Sequence, residues 1–286
     1  MSELNTLLKA AQHSLTLKLA IEAHEASVDV RLLLQQVLNV NHAWLISHDD
    51  DALSAEKINA FNTLLDRRLA GEPMAYILGQ REFYGLNLKT TSATLIPRPD
   101  TEVLVESALA KIPTDISTNI LDLGTGSGAI ALAIASQRPW ANITAVDFSE
   151  EALQVAQENA ASLNLNHVAL VQSSWFDALA NRKFDLIVSN PPYIAKGDVH
   201  LQQGDLRFEP ITALASGKDG LDDIRMIVAN APQHLNQNAW LMLEHGYDQA
   251  DAVSRLLADR GFTQVSHALD LAGIQRVTMG CWSLGS

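Results

Sequence analysis

From about residue 119 the apolar residues fall into a strand, helix, strand, helix rhythm, and a glycine-rich turn occupies its first strand-to-helix junction. NILDLG (119–124) reads as a short buried strand and GAIALAIASQR (128–138) as a helix. ITAVDF (143–148) is a second strand. Ser149 then stands as N-cap of EEALQVAQENAASLN, with two acids in the first turn facing the helix dipole. VALVQS (168–173), FDLIVS (184–189) and AWLMLE (239–244) are further strands, with LDDIRMIVANAPQHL and QADAVSRLLADRG as helices around the last. Such alternation specifies a parallel, doubly wound α/β sheet. TQVSHALD and QRVTMGCW, joined across Leu271-Ala272-Gly273, predict a closing hairpin that sets the last strand antiparallel to its neighbours.

The first ~80 residues follow a helical period instead. Leu4, Leu7, Leu8, Ala11 and Leu15 mark one helix face. Ser27 is the expected N-cap of VDVRLLLQQVLN, and Ser54 that of a helix carrying Ile58, Phe61, Leu65 and Leu69, stopped by Gly71 and Pro73. Residues 1–80 are thus expected to form a small helical bundle. Residues 81–105 read as a hairpin or extended linker, and 106–286 as the α/β domain. Within the linker, IPRPD (96–100) forces extended backbone before each proline, and helix returns from Thr101.

Composition narrows the function classes. Hydrophobic residues make up 47% and charged residues 19%, enough for two buried cores and against pervasive disorder. Lys and Arg total 20 against 33 Asp and Glu, a net charge of −13, which argues against a partner held mainly through phosphates. The single cysteine, Cys281, excludes an internal disulfide and any cysteine-based zinc site, and the nine histidines show no metal spacing. The N-terminus has no signal-peptide core, and the densest apolar run, AIALAIA (129–135), is short of the ~20 residues a membrane helix needs. A soluble, cytoplasmic protein is expected. Glu22, Glu25 and Asp49 to Asp51 read as solvated surface; Arg31, Arg67 and Arg68 are cations available to a protein partner.

Two stretches carry chemistry. Gly124-Thr125-Gly126-Ser127-Gly128 lets the backbone turn sharply and approach a ligand, and the next helix presents free N–H groups. Asp147 ends the second strand, where a carboxylate accepts ribose hydroxyls. This is a nucleoside-binding signature. It does not identify the cofactor, because Gly124, Gly126 and Ala129 also satisfy the looser dinucleotide pattern, and it lacks a P-loop's Gly-Lys-Ser/Thr ending. Asn190-Pro191-Pro192-Tyr193 follows the fourth strand, at the same end of the sheet. Its prolines remove two N–H donors, leaving the Asn side chain, backbone carbonyls and an aromatic face. An acceptor-rich site with a flat wall suits a planar nitrogen bearing two hydrogens: Asn190 Oδ1 and the Pro191 carbonyl each take one, and Tyr193 packs against the group. The bland readings are a glycine-rich turn and a proline-rich strand exit; their joint placement argues against both.

Together these residues resemble the class I S-adenosylmethionine-dependent methyltransferases that modify amino or amide nitrogens. LIPRPDTE (95–102), LDLGTGSGAIAL (121–132), VDFS (146–149), SSWFD (173–177), SNPPY (189–193), FEP (208–210), GKDGL (217–221) and EHG (244–246) occur in the order seen in the glutamine N5-methyltransferases of peptide-chain release factors, the HemK/PrmC family. The resemblance implies a seven-stranded Rossmann-like sheet with an antiparallel last strand, preceded by a helical substrate-recognition domain. It implies S-adenosyl-L-methionine held by Gly124 to Gly128, with Asp147 on the ribose, Trp175 beside the adenine and Asn190 also lining the cofactor site. Asn190, Pro191, Pro192 and Tyr193 would hold the glutamine of the Gly-Gly-Gln loop of bacterial class 1 release factors, with Asn190, Pro191 and Tyr193 carrying the transfer. No metal, direct nucleic-acid contact or membrane is implied, and a monomer is expected. One departure is visible: Leu269 precedes Asp270 where the family usually has a basic residue.

Three other readings stay open on the residues alone. The same tetrapeptide serves amino-group methylation of DNA or rRNA. The glycine loop alone fits a nicotinamide-dependent oxidoreductase or a non-catalytic nucleoside-binding adaptor. Outside the resemblance Trp175 reads as core filler, Glu244-His245 at a strand end as a structural turn or, second, a lining of the pocket, and Glu209 as either a solvated acid or a residue following a loop (194–208) able to close over a substrate.

Overall fold

The computed structural model describes residues 3–48 and 52–283, so the acidic run Asp49 to Asp51 lies outside the described residues. The chain divides between Gly79 and Gln80 into two compact units.

The first unit is helical: α1 (Glu3–Leu19), α2 (Ala23–Leu38), α3 (His42–Ser47), α4 (Ala55–Leu69) and α5 (Met74–Leu78). Leu4, Ala11, Leu15, Leu33, Leu34 and Phe61 form its core, as the i, i+3, i+4 spacing requires. Ser54 caps α4, accepting from Lys57 N at 3.3 Å. Ser27 caps nothing. The helix starts a turn earlier, because Ala26 N donates to Glu22 O at 3.0 Å and the Ala26 side chain is buried in the core. Two of the arginines offered to a partner are engaged within the unit. Arg68 is buried and donates to Asp29 Oδ2 at 2.8 Å, and Arg67 Nε donates to Glu72 at 2.8 Å.

The second unit opens with a hairpin, β1 (Gln80–Phe83) and β2 (Leu86–Lys89), turning at Tyr84-Gly85. It lies at the start of the stretch where sequence allowed either hairpin or linker. After α6 (Glu102–Leu109) the elements alternate: β3 (Asn119–Leu123), α7 (Ala129–Gln137), β4 (Asn142–Asp147), α8 (Glu150–Ser162), β5 (Ala169–Gln172), β6 (Phe184–Ser189), α9 (Asp222–Asn230), β7 (Leu235–Glu244), α10 (Ala250–Arg260), β8 (Thr263–Leu269) and β9 (Gln275–Trp282). The seven-stranded sheet has the order β5-β4-β3-β6-β7-β9-β8, and β9 runs antiparallel to both of its neighbours.

Neighbouring side chains on β3 enter opposite cores. Ile120 packs with α6 and α7; Leu121 and Leu123 pack with α9 and α10. Both faces are therefore covered, the condition under which a parallel sheet persists. Ser149 caps α8 by accepting from Ala152 N at 3.1 Å. Leu269 is exposed, and Asp270 beside it caps the β8–β9 turn and bonds Arg276 Nε at 2.8 Å, so the departure falls on a solvent-facing position. Among the described residues no helix is long and apolar enough to cross a membrane.

Candidate active site

β3 and β6 are parallel neighbours, so the turns that leave their carboxyl ends emerge side by side. The first turn runs through Gly124, Gly126 and Gly128, with φ of 72°, 56° and 84°. This is the left-handed region that side chains disfavour. The N–H groups of Gly124 and Thr125 both donate to Val146 O at 2.9 Å, tying the loop to β4. A Cβ on Gly128 would lie 3.0 Å from Leu132 Cδ1 and 3.3 Å from Ala156 Cβ, so that glycine serves helix packing. A Cβ on Gly124 would meet the Trp175 ring at 3.5 Å, and Trp175 itself has φ of 49°. Asp147 closes the loop from the side: Oδ2 accepts from Gly126 N at 2.8 Å and Oδ1 from Ser149 N at 2.9 Å. Burial raises its pKa, and these N–H groups oppose the rise.

Gly124, Gly126, Asp147, Trp175, Asn190 and Pro192 all line one cavity of about 820 Å³. That volume lies in the ~300–1,000 Å³ range of small-molecule sites. Thr125 and Ser127 are buried behind the loop and, with Gly128, do not line it. Pro191 is buried, and Tyr193 borders a second cavity of about 50 Å³ together with Leu95 and Arg98. Asn190 lines both cavities, so it stands between a large chamber and a small one. Its Nδ2 donates to Thr101 Oγ1 at 3.1 Å, while no described residue bonds its Oδ1. The Pro191 carbonyl accepts no backbone N–H from the described residues.

Two buried acids lie beneath this surface. Asp122, fully buried in β3, accepts from Thr125 Oγ1 at 2.6 Å on Oδ2, but Oδ1 has no partner among the described residues. Burial pushes its pKa up to about 7, against hydrogen bonds from Thr125 and the Ala131 N–H, and the nearby Asp147 charge adds to the rise. Glu244, at the end of β7, is also pushed up to about 7, chiefly by burial and further by Asp100; hydrogen bonds from Thr101 and Asn190 and the charge of Arg276 oppose this. Burial and the Glu244 carboxyl hold the Tyr193 phenol far above its ordinary pKa, so it stays protonated.

The sequence leaves Thr101 without a role and favours a turn over pocket lining for Glu244. The signal for Glu244 was an acid ending an apolar strand and opening the EHG motif; for Thr101 it was only its place inside the LIPRPDTE motif, which assigns no individual role. Glu209 is no solvated acid. It is buried, ion-paired to Arg98, and accepts from Ile96 N at 3.0 Å, which fastens 95–102 to the loop after β6.

Residues 6–79 match the PrmC N-terminal domain family and residues 99–208 the Methyltransferase small domain family. A release factor glutamine methyltransferase of Pseudomonas aeruginosa is 48% identical over 283 residues, covering 99% of this chain and 100% of that protein. One from Xylella fastidiosa is 50% identical over 253 residues, covering 88% and 92%. The chain belongs to the release factor glutamine methyltransferase family. A methyltransferase structure from Pyrococcus furiosus shares the fold, with a TM-score of 0.55 at 18% identity, covering 78% of this chain and 100% of that one. The PrmC N-terminal match ends where the first compact unit ends, at residue 79.

Proposed function

We propose that this enzyme transfers a methyl group to the side-chain amide nitrogen of the glutamine in the Gly-Gly-Gln loop of class 1 release factors. The observation that carries the reading is Asn190, which lines both a chamber of nucleoside size and a pocket of side-chain size and whose amide oxygen is bonded by no described residue.

The residues fit S-adenosyl-L-methionine in the large chamber. Gly126 leaves open space where a Cβ would stand, Trp175 supplies an aromatic wall for the adenine, and Asp147 retains acceptor capacity for ribose hydroxyls. When bound, the cofactor supplies a methyl group on positively charged sulfur.

The protein's task is then to position the nitrogen. An amide lone pair is delocalised and weakly nucleophilic. Asn190 Oδ1 and the Pro191 carbonyl accept the two N–H groups, fixing the amide plane and turning its face towards the methyl donor. Tyr193 packs against the amide. No side chain needs to act as base, because the nitrogen becomes acidic once alkylated and releases its proton to water. The protonated Tyr193 phenol agrees with that.

The helical unit is the proposed recognition domain for the release factor, and a monomer acting in the cytoplasm without direct nucleic-acid contact is the accompanying proposal. Net charge of −13 supports a protein rather than a nucleic-acid substrate. Incubation with labelled S-adenosylmethionine and a release factor should label only the Gly-Gly-Gln glutamine. Label that persists after Gln→Ala at that position, or efficient labelling of naked DNA or rRNA, would overturn the reading.

A further inference from the structure

We propose that Thr101 and Glu244 are positioning residues that fix which way the Asn190 side-chain amide faces, and so make its oxygen the group presented to the substrate. The inference rests on the amide-methylation reading and deepens it.

An asparagine amide has nearly the same shape in its two flipped orientations, but opposite chemistry. A substrate carboxamide offers two N–H donors from its nitrogen. Asn190 assists only when Oδ1 faces that nitrogen; flipped, its own NH2 opposes the substrate NH2, donor against donor. The two prolines that follow stiffen the backbone, yet they do nothing to distinguish the flips. Something behind the side chain must.

The structure places two acceptors there. Thr101 Oγ1 takes a hydrogen bond from Asn190 Nδ2 at 3.1 Å. Thr101 is itself buried and comes from a segment remote in sequence. Its hydroxyl keeps its own proton for another acceptor, and the Glu244 carboxyl lies close enough to both Thr101 and Asn190 that their polar groups oppose the rise of its pKa. Register explains the proximity: Leu243 on β7 pairs with Ser189 on β6, and the next residues along the two parallel strands are Glu244 and Asn190. With Glu244 ionised, polarity runs one way, from the Asn190 NH2 towards Thr101 and Glu244. The reverse flip would set Oδ1 towards a carboxylate oxygen and lose the Nδ2 bond to Thr101.

Glu244 is a poor choice for stability alone. It is 1% exposed, and its Oε2 has no partner among the described residues. Arg276, the cation whose charge acts on Glu244, spends its ion pairs on Asp270 and Asp100, at 2.8 and 3.0 Å. Burying a carboxyl with incomplete pairing is costly. An apolar residue would fill the strand end without that cost, but it would leave Asn190 free to turn.

The test compares Thr101→Val, Thr101→Ser and Glu244→Leu with the parent, using labelled S-adenosylmethionine and a bacterial class 1 release factor. Thr101→Val should lower kcat ten- to a hundredfold with S-adenosylmethionine affinity and melting temperature little changed. Thr101→Ser, which keeps the hydroxyl, should restore kcat to within about threefold. Glu244→Leu should lower kcat by a similar factor while the melting temperature holds or rises. In an Asn190→Ala background, Thr101→Val should cost nothing further, because its effect acts through Asn190. A second readout needs no turnover: the Asn190 side-chain amide protons, assigned by NMR through their loss in Asn190→Ala, should exchange at least tenfold faster in Thr101→Val. Unchanged exchange, or kcat within twofold of the parent in both Thr101→Val and Glu244→Leu, would overturn the inference. A parent that leaves the release factor unmethylated refutes the amide-methylation reading instead, and the exchange measurement still decides the orientation of Asn190.

Discussion

The glycine loop after β3 and the Asn-Pro-Pro-Tyr turn after β6 leave neighbouring strands at one end of the sheet, yet they are built by opposite means. The loop is made of backbone: positive φ at three glycines, two N–H groups on Val146 O, and one carboxylate closing the side. The turn presents a side chain, and that side chain is bonded by a residue brought from elsewhere, Thr101, with the buried Glu244 carboxyl beside it. A backbone cradle tolerates change in side chains that point away from it. A side-chain acceptor depends on every group that fixes its rotamer. The two halves should therefore fail differently, the loop in cofactor affinity and the turn in turnover.

The largest effect should come from the turn. Asn190→Ala removes the oriented acceptor and should lower kcat by a hundred- to a thousandfold, about 3–4 kcal/mol of transition-state stabilisation. S-adenosylmethionine affinity, measured by calorimetry, should change less than threefold. Equal losses in both would erase the distinction between the halves.

Each half also has a buried acid beneath it, and both respond to pH with the same sign. Asp122 and Glu244 have pKa values raised to about 7 in the fold. Protonation is therefore favoured in the native state. Their contribution to stability is complete below the ordinary carboxylate range and is lost as pH rises through about 7. Ionisation costs on the order of 3 kcal/mol for each. Denaturant unfolding followed from pH 5 to 8 should show stability falling across that window, and Asp122→Asn or Glu244→Leu should each flatten the fall. A stability that rises with pH in both variants and parent would contradict the burial argument.

A smaller effect belongs to the fastening behind the turn. Arg98→Met leaves the Glu209 carboxylate buried without its cation. Arg98 is partly exposed, which discounts the loss to about 2 kcal/mol of unfolding free energy. Glu209→Gln in the same chain should recover part of it, because Ile96 N keeps an acceptor. The smallest effect falls on the loop side. Trp175→Ala removes the aromatic wall and should raise the S-adenosylmethionine Kd five- to tenfold, about 1 kcal/mol, with kcat at saturation unchanged.

The same contrast explains what was legible in the sequence. The glycine spacing, Asp147 at a strand end and the Ser54 and Ser149 caps are local patterns, and local physics reads them. The alternation that names the sheet is local too, as is the hairpin that turns β9 antiparallel. Ser27 misled because a serine before an apolar run is a good cap only when nothing upstream is helical, and Ala23 to Ala26 continue the helix. The supports of the acceptor were out of reach. Thr101 and Asn190 are 89 residues apart, and Ile96 meets Glu209 across 113. Such pairs exist only once the sheet has been assembled, and one buried acid in an apolar strand does not announce its partner.

The most direct test of the central claim is a crystal structure with S-adenosylhomocysteine and a Gly-Gly-Gln peptide of a release factor. The glutamine amide nitrogen should sit within about 3.2 Å of Asn190 Oδ1, with Nδ2 still on Thr101 and the side chain entering the small cavity beside Tyr193. A glutamine bound elsewhere, or Asn190 presenting its NH2 to the substrate, would contradict the account.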